Sequence, residues 1–206
     1  MTDAGPPEPQ APTKPLPVRS RAATWLNRIR TRFPIIFGLL VLILAPPRGS
    51  WWGLAAVALG QGLRLWAAGW LRKDSVLTTG GPFAYVRNPL YLGTLLSAGG
   101  LLVIVGDWRW AAGFAAAFAL LYALTIREEE AYLSQVHGAA YLEYRKQVPR
   151  LLPSPGAARA GPWPRIREQG RFDWGLLRHN KEHLNLLAVI ILLALLWLRQ
   201  RFGIWR

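Results

Sequence analysis

The sequence predicts an all-α, multi-span integral membrane protein with about five transmembrane helices and a cytoplasmic C-terminal helical segment. Of its 206 residues, 52% are hydrophobic, yet the net charge of +14 lies mostly outside the apolar runs. A soluble domain would instead interleave charged and apolar residues at the helix or strand period. The apolar runs are also close to the length that crosses the ~30 Å hydrocarbon layer of a bilayer.

Five apolar stretches are the candidate spans. Residues 90–106 and 110–126 each contain 17 residues without a charge, near the lower limit for a spanning helix. The stretch 51–71 is longer but includes polar positions, 184–198 carries no charge but is short, and 35–45 is the shortest. A short stretch can still cross if the bilayer thins locally, so the full crossing of the first and last stretches stays open.

These stretches divide the chain into three parts. Residues 1–32 are rich in proline and arginine, and we expect a disordered basic tail there rather than a cleavable signal peptide. Residues 33–153 form the predicted transmembrane core, and residues 154–206 form a linker and a C-terminal apolar helix. The chain has no cysteine, which excludes a disulfide, a thiolate nucleophile and a cysteine metal site.

The basic residues predict an orientation. With five spans, residues 1–32, 72–89 and 127–182 lie on one side and hold 6, 3 and 10 basic residues. The positive-inside rule places that side in the cytoplasm, and we expect a bacterial inner membrane. Anionic lipid is the expected partner of these cations. Nucleic acid is not, because the cations are scattered over several loops without a recognition helix.

A loop at residues 81–93, with the sequence GPFAYVRNPLYLG, is the first polar motif. Pro82 and Pro89 prevent an uninterrupted helix, and a new helix begins near Leu90. Its free amides, together with Arg87 and Asn88, predict a seat for a carboxylate. An ordinary cytoplasmic turn with a snorkelling arginine is the alternative.

The second motif is the acidic triplet at residues 128–130, which we expect in the first turn of a helix over residues 128–147. The helical dipole alone could explain the triplet. However, helical periodicity points its three carboxylates in different directions, so at least one should face inward, where it could bind an ammonium group. One partly aromatic stripe at spacings of three or four follows on this helix: Leu133, His137, Tyr141, Tyr144 and Val148.

Two further features carry charge near the spans. Arg64 should face a partner or an aqueous cavity, because an unpaired charge in the membrane is costly, or it snorkels toward Arg72. Residues 179–183, HNKEH, fit a zinc-peptidase pattern, but no Asp or Glu follows His183 to supply a third ligand. We therefore predict no metal site.

Residues 63–67, 81–93 and 128–153 in this order resemble the isoprenylcysteine carboxyl methyltransferase family, and more broadly the membrane methyltransferases that include phospholipid N-methyltransferases. The resemblance covers about residues 51–153. It implies an S-adenosyl-L-methionine pocket between the loop, the helix after it and the polar C-terminal helix, with a lateral opening to lipid. It makes that polar helix the catalytic segment. The cofactor-binding residues that the resemblance implies are Ser75, Leu77, Phe83, Arg87, Asn88, Pro89, Tyr91, Glu129, Tyr141 and Arg150.

Asn88 stands where isoprenylcysteine enzymes usually have histidine, and asparagine also occurs there in relatives that act on phospholipid. The resemblance implies methyl transfer to a carboxylate or amine of a membrane lipid or a lipidated small substrate. We predict that Arg64 or Arg127 holds an anionic group of that substrate. Two alternatives are an NADPH-dependent membrane reductase of related fold and a non-catalytic membrane scaffold.

Overall fold

The computed structural model describes residues 21–45, 47–72, 76–153 and 171–203, which form helices and connecting loops without any strand. The α-helices are α1 (Arg21–Leu44), α2 (Gly53–Ala68), α3 (Pro89–Val105), α4 (Trp108–Gln147), α5 (Trp174–His179) and α6 (Glu182–Phe202), and a 3-10 helix covers Gly81–Ala84. The all-α prediction is confirmed for this part of the chain.

Helices α2 and α3 form an antiparallel hairpin in which the two backbones touch. A Cβ atom added to Gly100 would lie 2.7 Å from the amide nitrogen of Val57, and one added to Gly93 would lie 2.7 Å from the carbonyl oxygen of Gly60. Glycines at helix interfaces permit this close approach in membranes. The hairpin therefore brings the loop before α3 next to the end of α2.

A short segment before α2 closes the other end of the hairpin. The backbone amides of residues 48–50 donate to the carbonyls of residues 103–105 over 3.0 to 3.1 Å. The last carbonyls of a helix have no partner within the helix, so this segment supplies donors that α3 lacks.

An aromatic core joins α1 to α4. The rings of Phe37 and Phe114 are 4.8 Å apart, and those of Phe118 and Tyr122 are 4.1 Å apart. On the outer face of α1, the side chains of Ile35, Leu39 and other aliphatic residues are exposed. This division suits a helix with one face against protein and one against lipid.

Helix α6 packs along the bundle, and its contacts define two ends. Leu196 is fully buried, and Arg199 donates to the carbonyls of Leu42 and Ala45 at the end of α1. We call this the far end, and it also contains residues 48–50. The opposite end, where α2 stops and α3 and α6 start, is called the site end.

Two helices, α4 and α6, are long and apolar enough to cross a membrane, and α3 is a shorter apolar helix. Exposed leucine and isoleucine side chains cover much of α6. These features support an all-α membrane protein.

Two boundaries differ from the sequence expectation. Helix α1 begins at Arg21, so residues 21–32 are helical rather than part of a tail. Helix α4 runs without interruption from its apolar half into the polar segment, and its only non-helical residue is Gly138, with φ 51° and ψ −126°. The acidic triplet therefore lies within a helix and not in a first turn, which removes the dipole explanation for it.

Candidate active site

The loop between α2 and α3 is fixed against the end of α4. The backbone amide of Arg87 donates to the carbonyl of Pro149 over 2.9 Å, and Asn88 Nδ2 donates to the carbonyl of Arg150 over 2.9 Å. The Tyr144 hydroxyl donates to the carbonyl of Phe83 over 2.7 Å. The two motifs, far apart in the sequence, thus form one surface at the site end.

Glu130 is the inward carboxylate of the triplet. It is 3.2 Å from Arg87 Nη2 and accepts from Arg150 Nε and Nη2 over 3.0 and 2.8 Å. The side chains of Arg87 and Glu130 are only 9% and 8% exposed. The hydrogen bond with Glu130 raises the pKa of Arg150, so Arg150 stays protonated. The predicted inward carboxylate is therefore present, and it holds the loop and the end of α4 together.

Arg87 has further donors that Glu130 does not use. Its Nε and Nη1 are buried and have no acceptor in good hydrogen-bond geometry among the described residues. Arg87 also lies near Tyr141, whose pKa is raised because burial and the Glu130 charge outweigh the opposing charge and hydrogen bond of Arg87. Buried donors without an acceptor are costly. The site can therefore take an additional acceptor group.

Glu129 belongs to a second cluster at the same end. It accepts a 2.7 Å hydrogen bond from the Tyr91 hydroxyl and forms an ion pair with Arg30 of α1. Arg30 also donates to the Tyr91 hydroxyl, and its guanidinium lies 5.3 Å from the centre of the Tyr91 ring. The third member of the triplet, Glu128, is exposed. The three carboxylates thus have three different surroundings.

Arg64 faces a partner within the protein and does not snorkel toward Arg72. It forms a bidentate ion pair with Glu182 of α6, at 2.8 to 3.1 Å, and donates to Thr94 Oγ1 over 2.5 Å. One turn earlier, Gln61 donates to Ser97 over 2.9 Å and accepts from Asn185 over 3.0 Å. Polar groups of α2, α3 and α6 therefore satisfy one another inside an apolar bundle.

Most of the predicted site residues come together at the site end. Leu77 packs against the buried cluster that contains Tyr141, and Pro89 is fully buried at the start of α3. Arg127 is exposed. Ser75 lies outside the described residues. The roles assigned to all of these residues stay predictions.

Arg30 and Glu182 are the two site-end residues that sequence reasoning missed. Each pairs with a charge more than 90 positions away in the chain, and no local pattern connects such partners. The only signal for Glu182 was its place in the HNKEH pattern. There His179 and His183 are exposed, and the described residues contain no cluster of three metal-ligating side chains.

A cavity of about 480 Å³ lies beside this pattern, near the start of α6. Its lining residues are Trp174, Leu177, Arg178 and His183. It therefore involves α5 and α6 rather than the loop and α4.

Comparison with known proteins shows that the core of the chain is similar to methyltransferases. Residues 49–140 match the family model described as phospholipid methyltransferase. The protein-S-isoprenylcysteine O-methyltransferase of Schizosaccharomyces pombe is 35% identical over 99 residues, covering 48% of this chain and 42% of that protein. The resemblance to the isoprenylcysteine carboxyl methyltransferase family is confirmed.

Two bacterial relatives bear other names. The cobalt-zinc-cadmium resistance protein CzcN of Cupriavidus metallidurans is 32% identical over 146 residues, covering 66% of this chain and 64% of that protein. The nickel-cobalt-cadmium resistance protein NccN of Alcaligenes xylosoxydans xylosoxydans is 33% identical over 103 residues, 49% of this chain and 48% of its own length. The chain thus spans about half to two thirds of these relatives. No solved structure matches it significantly.

The methyltransferase family segment contains the loop, α3 and the acidic triplet. Arg30, Arg150 and Glu182 lie outside residues 49–140, yet each is ion-paired with a residue inside that segment. Charged residues on both sides of the matched segment therefore pair with residues of the candidate site.

Proposed function

We propose that this protein transfers a methyl group from S-adenosyl-L-methionine to a carboxylate or amine of a membrane-embedded lipid or prenylated substrate. The observation that carries the proposal is the meeting of residues 81–93 with residues 128–150 at one end of an apolar helix bundle. That meeting puts buried guanidinium donors and two differently held carboxylates beside lipid-facing helices. The family match supports methyl transfer as the reaction.

The residues at the site end fit the proposed cofactor. S-adenosyl-L-methionine carries a carboxylate, an ammonium group and an adenine ring, and when bound it supplies an electrophilic methyl group. Arg87, whose Nε and Nη1 have no acceptor in good geometry among the described residues, suits the carboxylate. Glu129, which is only partly exposed, suits the ammonium group. Phe83 and Tyr141 are buried rings beside the loop, where Leu77, Asn88, Pro89, Tyr91 and Arg150 complete the proposed set.

The contribution of the protein to catalysis is chiefly orientation and exclusion of water. Holding two reactants in line contributes ~7 to 11 kcal/mol in well-aligned cases. A carboxylate acceptor needs no base, whereas an amine must first lose a proton to a glutamate or tyrosine at the site end. Arg127, exposed where the apolar half of α4 ends, is our proposed contact for an anionic group of the acceptor. Arg64, the other predicted contact, is already paired with Glu182.

The contacts at the two ends support five crossings. The chain reaches the site end at Arg30, Arg64, Tyr91, Glu129 and Glu182. It reaches the far end at residues 45–50, 103–106 and 199–200. These ends alternate along the sequence, as they must if α1, α2, α3, α4 and α6 each cross once. We propose that the site end faces the cytoplasm, where most basic residues then lie.

The competing functions predict different ligands. Purified protein in detergent should be stabilised against heat by S-adenosyl-L-methionine and not by NADPH, because only a ligand that binds the folded state raises the unfolding temperature. Transfer of a radiolabelled methyl group into extracted lipid should accompany that stabilisation. Stabilisation by NADPH alone would favour the reductase, and no response to either cofactor would favour the scaffold.

The acceptor itself is open between a prenylated carboxylate and a phospholipid amine. Mass spectrometry of lipids and lipidated proteins from cells with and without the protein should show a difference of one methylene group in the acceptor. The chemical class of the species whose mass differs then identifies the acceptor.

A further inference from the structure

Glu182 and Arg64 form a bidentate charged contact inside the bundle. Their side chains are 11% and 16% exposed, and three nitrogen–oxygen pairs lie between 2.8 and 3.1 Å. A bidentate pair of this kind fixes the plane of the guanidinium as well as its position. Glu182 therefore decides where the remaining nitrogen, Nη1, points.

The Nη1 atom of Arg64 contacts the first turns of α3. It donates to Thr94 Oγ1 over 2.5 Å and to the carbonyl of Leu90 over 3.3 Å, and Thr94 Oγ1 donates to that same carbonyl over 3.0 Å. The stem of Arg64 can pass this close because residue 93 is glycine. A Cβ atom there would lie 2.5 Å from Arg64 Cγ.

The first turn of α3 is the part of the molecule that carries Asn88 and Tyr91. Asn88 is tied to the end of α4, and Tyr91 binds Glu129. A shift of this turn would therefore move both the Glu130 cluster and the Glu129 cluster of the candidate active site. Arg64 and Glu182 form no hydrogen bond with either carboxylate among the described residues.

We propose that Glu182 is a positioning residue for the site. It acts through Arg64 to hold the first turn of α3, and so makes the C-terminal helix α6 part of the machinery although α6 lies outside the family core. The effect on cofactor binding rests on the proposed function, whereas the effect on α3 does not.

Two variants test the proposal, with one matched control. Glu182→Gln removes the charge that orients Arg64 with little change of shape. Thr94→Val removes the hydroxyl on α3 that accepts from Arg64 and leaves the ion pair and the Leu90 carbonyl in place. Asn185→Leu is the control, because it deletes another α6 to α2 hydrogen bond without touching Arg64. All three are studied as full-length protein in detergent.

The first measurement is backbone hydrogen exchange of residues 90–96 in protein without cofactor. We expect exchange about tenfold faster in Glu182→Gln and Thr94→Val, equal to ~1.4 kcal/mol of local opening, and parental exchange in Asn185→Leu. The second is the affinity for S-adenosyl-L-methionine by calorimetry, which should fall about tenfold in the same two variants.

The proposal is overturned if residues 90–96 exchange equally fast in the parent and in Thr94→Val, or if Glu182→Gln and Asn185→Leu change the exchange equally. Either result would mean that the ion pair of Glu182 and Arg64 only anchors α6. If the parent does not bind S-adenosyl-L-methionine, the proposed function fails. The exchange experiment still decides the role of Glu182 in that case.

Discussion

Glu129 and Glu130 are neighbours in the sequence with different surroundings, and this difference gives a direct prediction at the scale of single residues. Glu130 forms ion pairs with two arginines and is buried, whereas Glu129 binds Tyr91 and Arg30 and is about a third exposed. We infer that Glu130 mainly holds the structure together and that Glu129 is available to a ligand.

Glu130→Gln should lower the stability by about 3 kcal/mol, because it leaves the buried guanidinium of Arg87 without its counter-charge. Glu129→Gln should cost less than about 1 kcal/mol but abolish measurable binding of S-adenosyl-L-methionine. Thermal unfolding in detergent and calorimetry separate the two effects. Glu128→Gln is the control, since this exposed carboxylate lies on the same turn, and it should change neither quantity.

Arg30 forms an ion pair with Glu129, the carboxylate that we propose as the partner of the ammonium group of the cofactor. Arg30→Gln should therefore tighten the binding of S-adenosyl-L-methionine about threefold, as expected from removing a partly exposed ion pair. Arg28→Gln, an exposed arginine on the same helix, should leave the affinity unchanged. Weaker binding in Arg30→Gln would mean that Arg30 supports the site rather than competing for it.

The sequence predicted which residue types meet at this site but not which carboxylate faces which partner. Arg87, Asn88 and Tyr91 follow from the loop pattern. The choice between Glu129 and Glu130 does not, because the phase of α4 is set by its apolar half, with which the triplet is continuous. The partners Arg30 and Glu182 were invisible for a similar reason, since only the packing of whole helices brings them near.

At the scale of helices, contact between α2 and α3 depends on residues that have no side chain. Adjacent glycines on α3 make this testable. A Cβ atom at Gly100 would collide with the backbone of α2, whereas one at Gly99 would meet nothing within 4 Å.

Gly100→Ala should destabilise the protein by about 2 kcal/mol, within the range for overpacked interfaces. Gly99→Ala should be neutral or stabilise by up to about 1 kcal/mol through helix propensity. Thermal unfolding of both variants in the same detergent measures the contrast. Equal stability of the two would show that the hairpin opens more easily than its geometry indicates.

Helix existence was predictable where apolar runs lack charge, as for residues 90–106 and 110–126, which correspond to α3 and the first half of α4. The ends of the helices were less predictable. The junction at Ile126 was expected to divide two helices because composition changes there, but the backbone has no reason to stop, as no glycine or proline intervenes before Gly138. The predicted stripe on this segment is confirmed in part, since Tyr141, Tyr144 and Val148 are buried and the partly buried Leu133 packs against them.

At the scale of the whole molecule, the alternation of the two ends predicts which residues share a side of the membrane. The chain has no cysteine, so single introduced thiols report cleanly. Ser50→Cys at the far end should react with a membrane-impermeant maleimide in intact cells. Gln135→Cys, exposed in the polar half of α4, should react only after the cells are permeabilised.

Phe202→Cys completes the topology test, because it reports whether α6 crosses. It should label like Ser50→Cys, and the parent protein, without thiols, gives the background. Labelling of Phe202→Cys only after permeabilisation would show that α6 returns to the side from which it starts.

The two ends of the bundle are held by different means. Residues 48–50 fasten the far end through main-chain amides and carbonyls, and this close approach needs glycine at position 49, where a Cβ atom would lie 2.0 Å from the carbonyl oxygen of Val103. The site end depends on particular side chains. Substitutions should therefore be accepted at Arg48 and Ser50, which are exposed, but not at Gly49, and the site end should tolerate few.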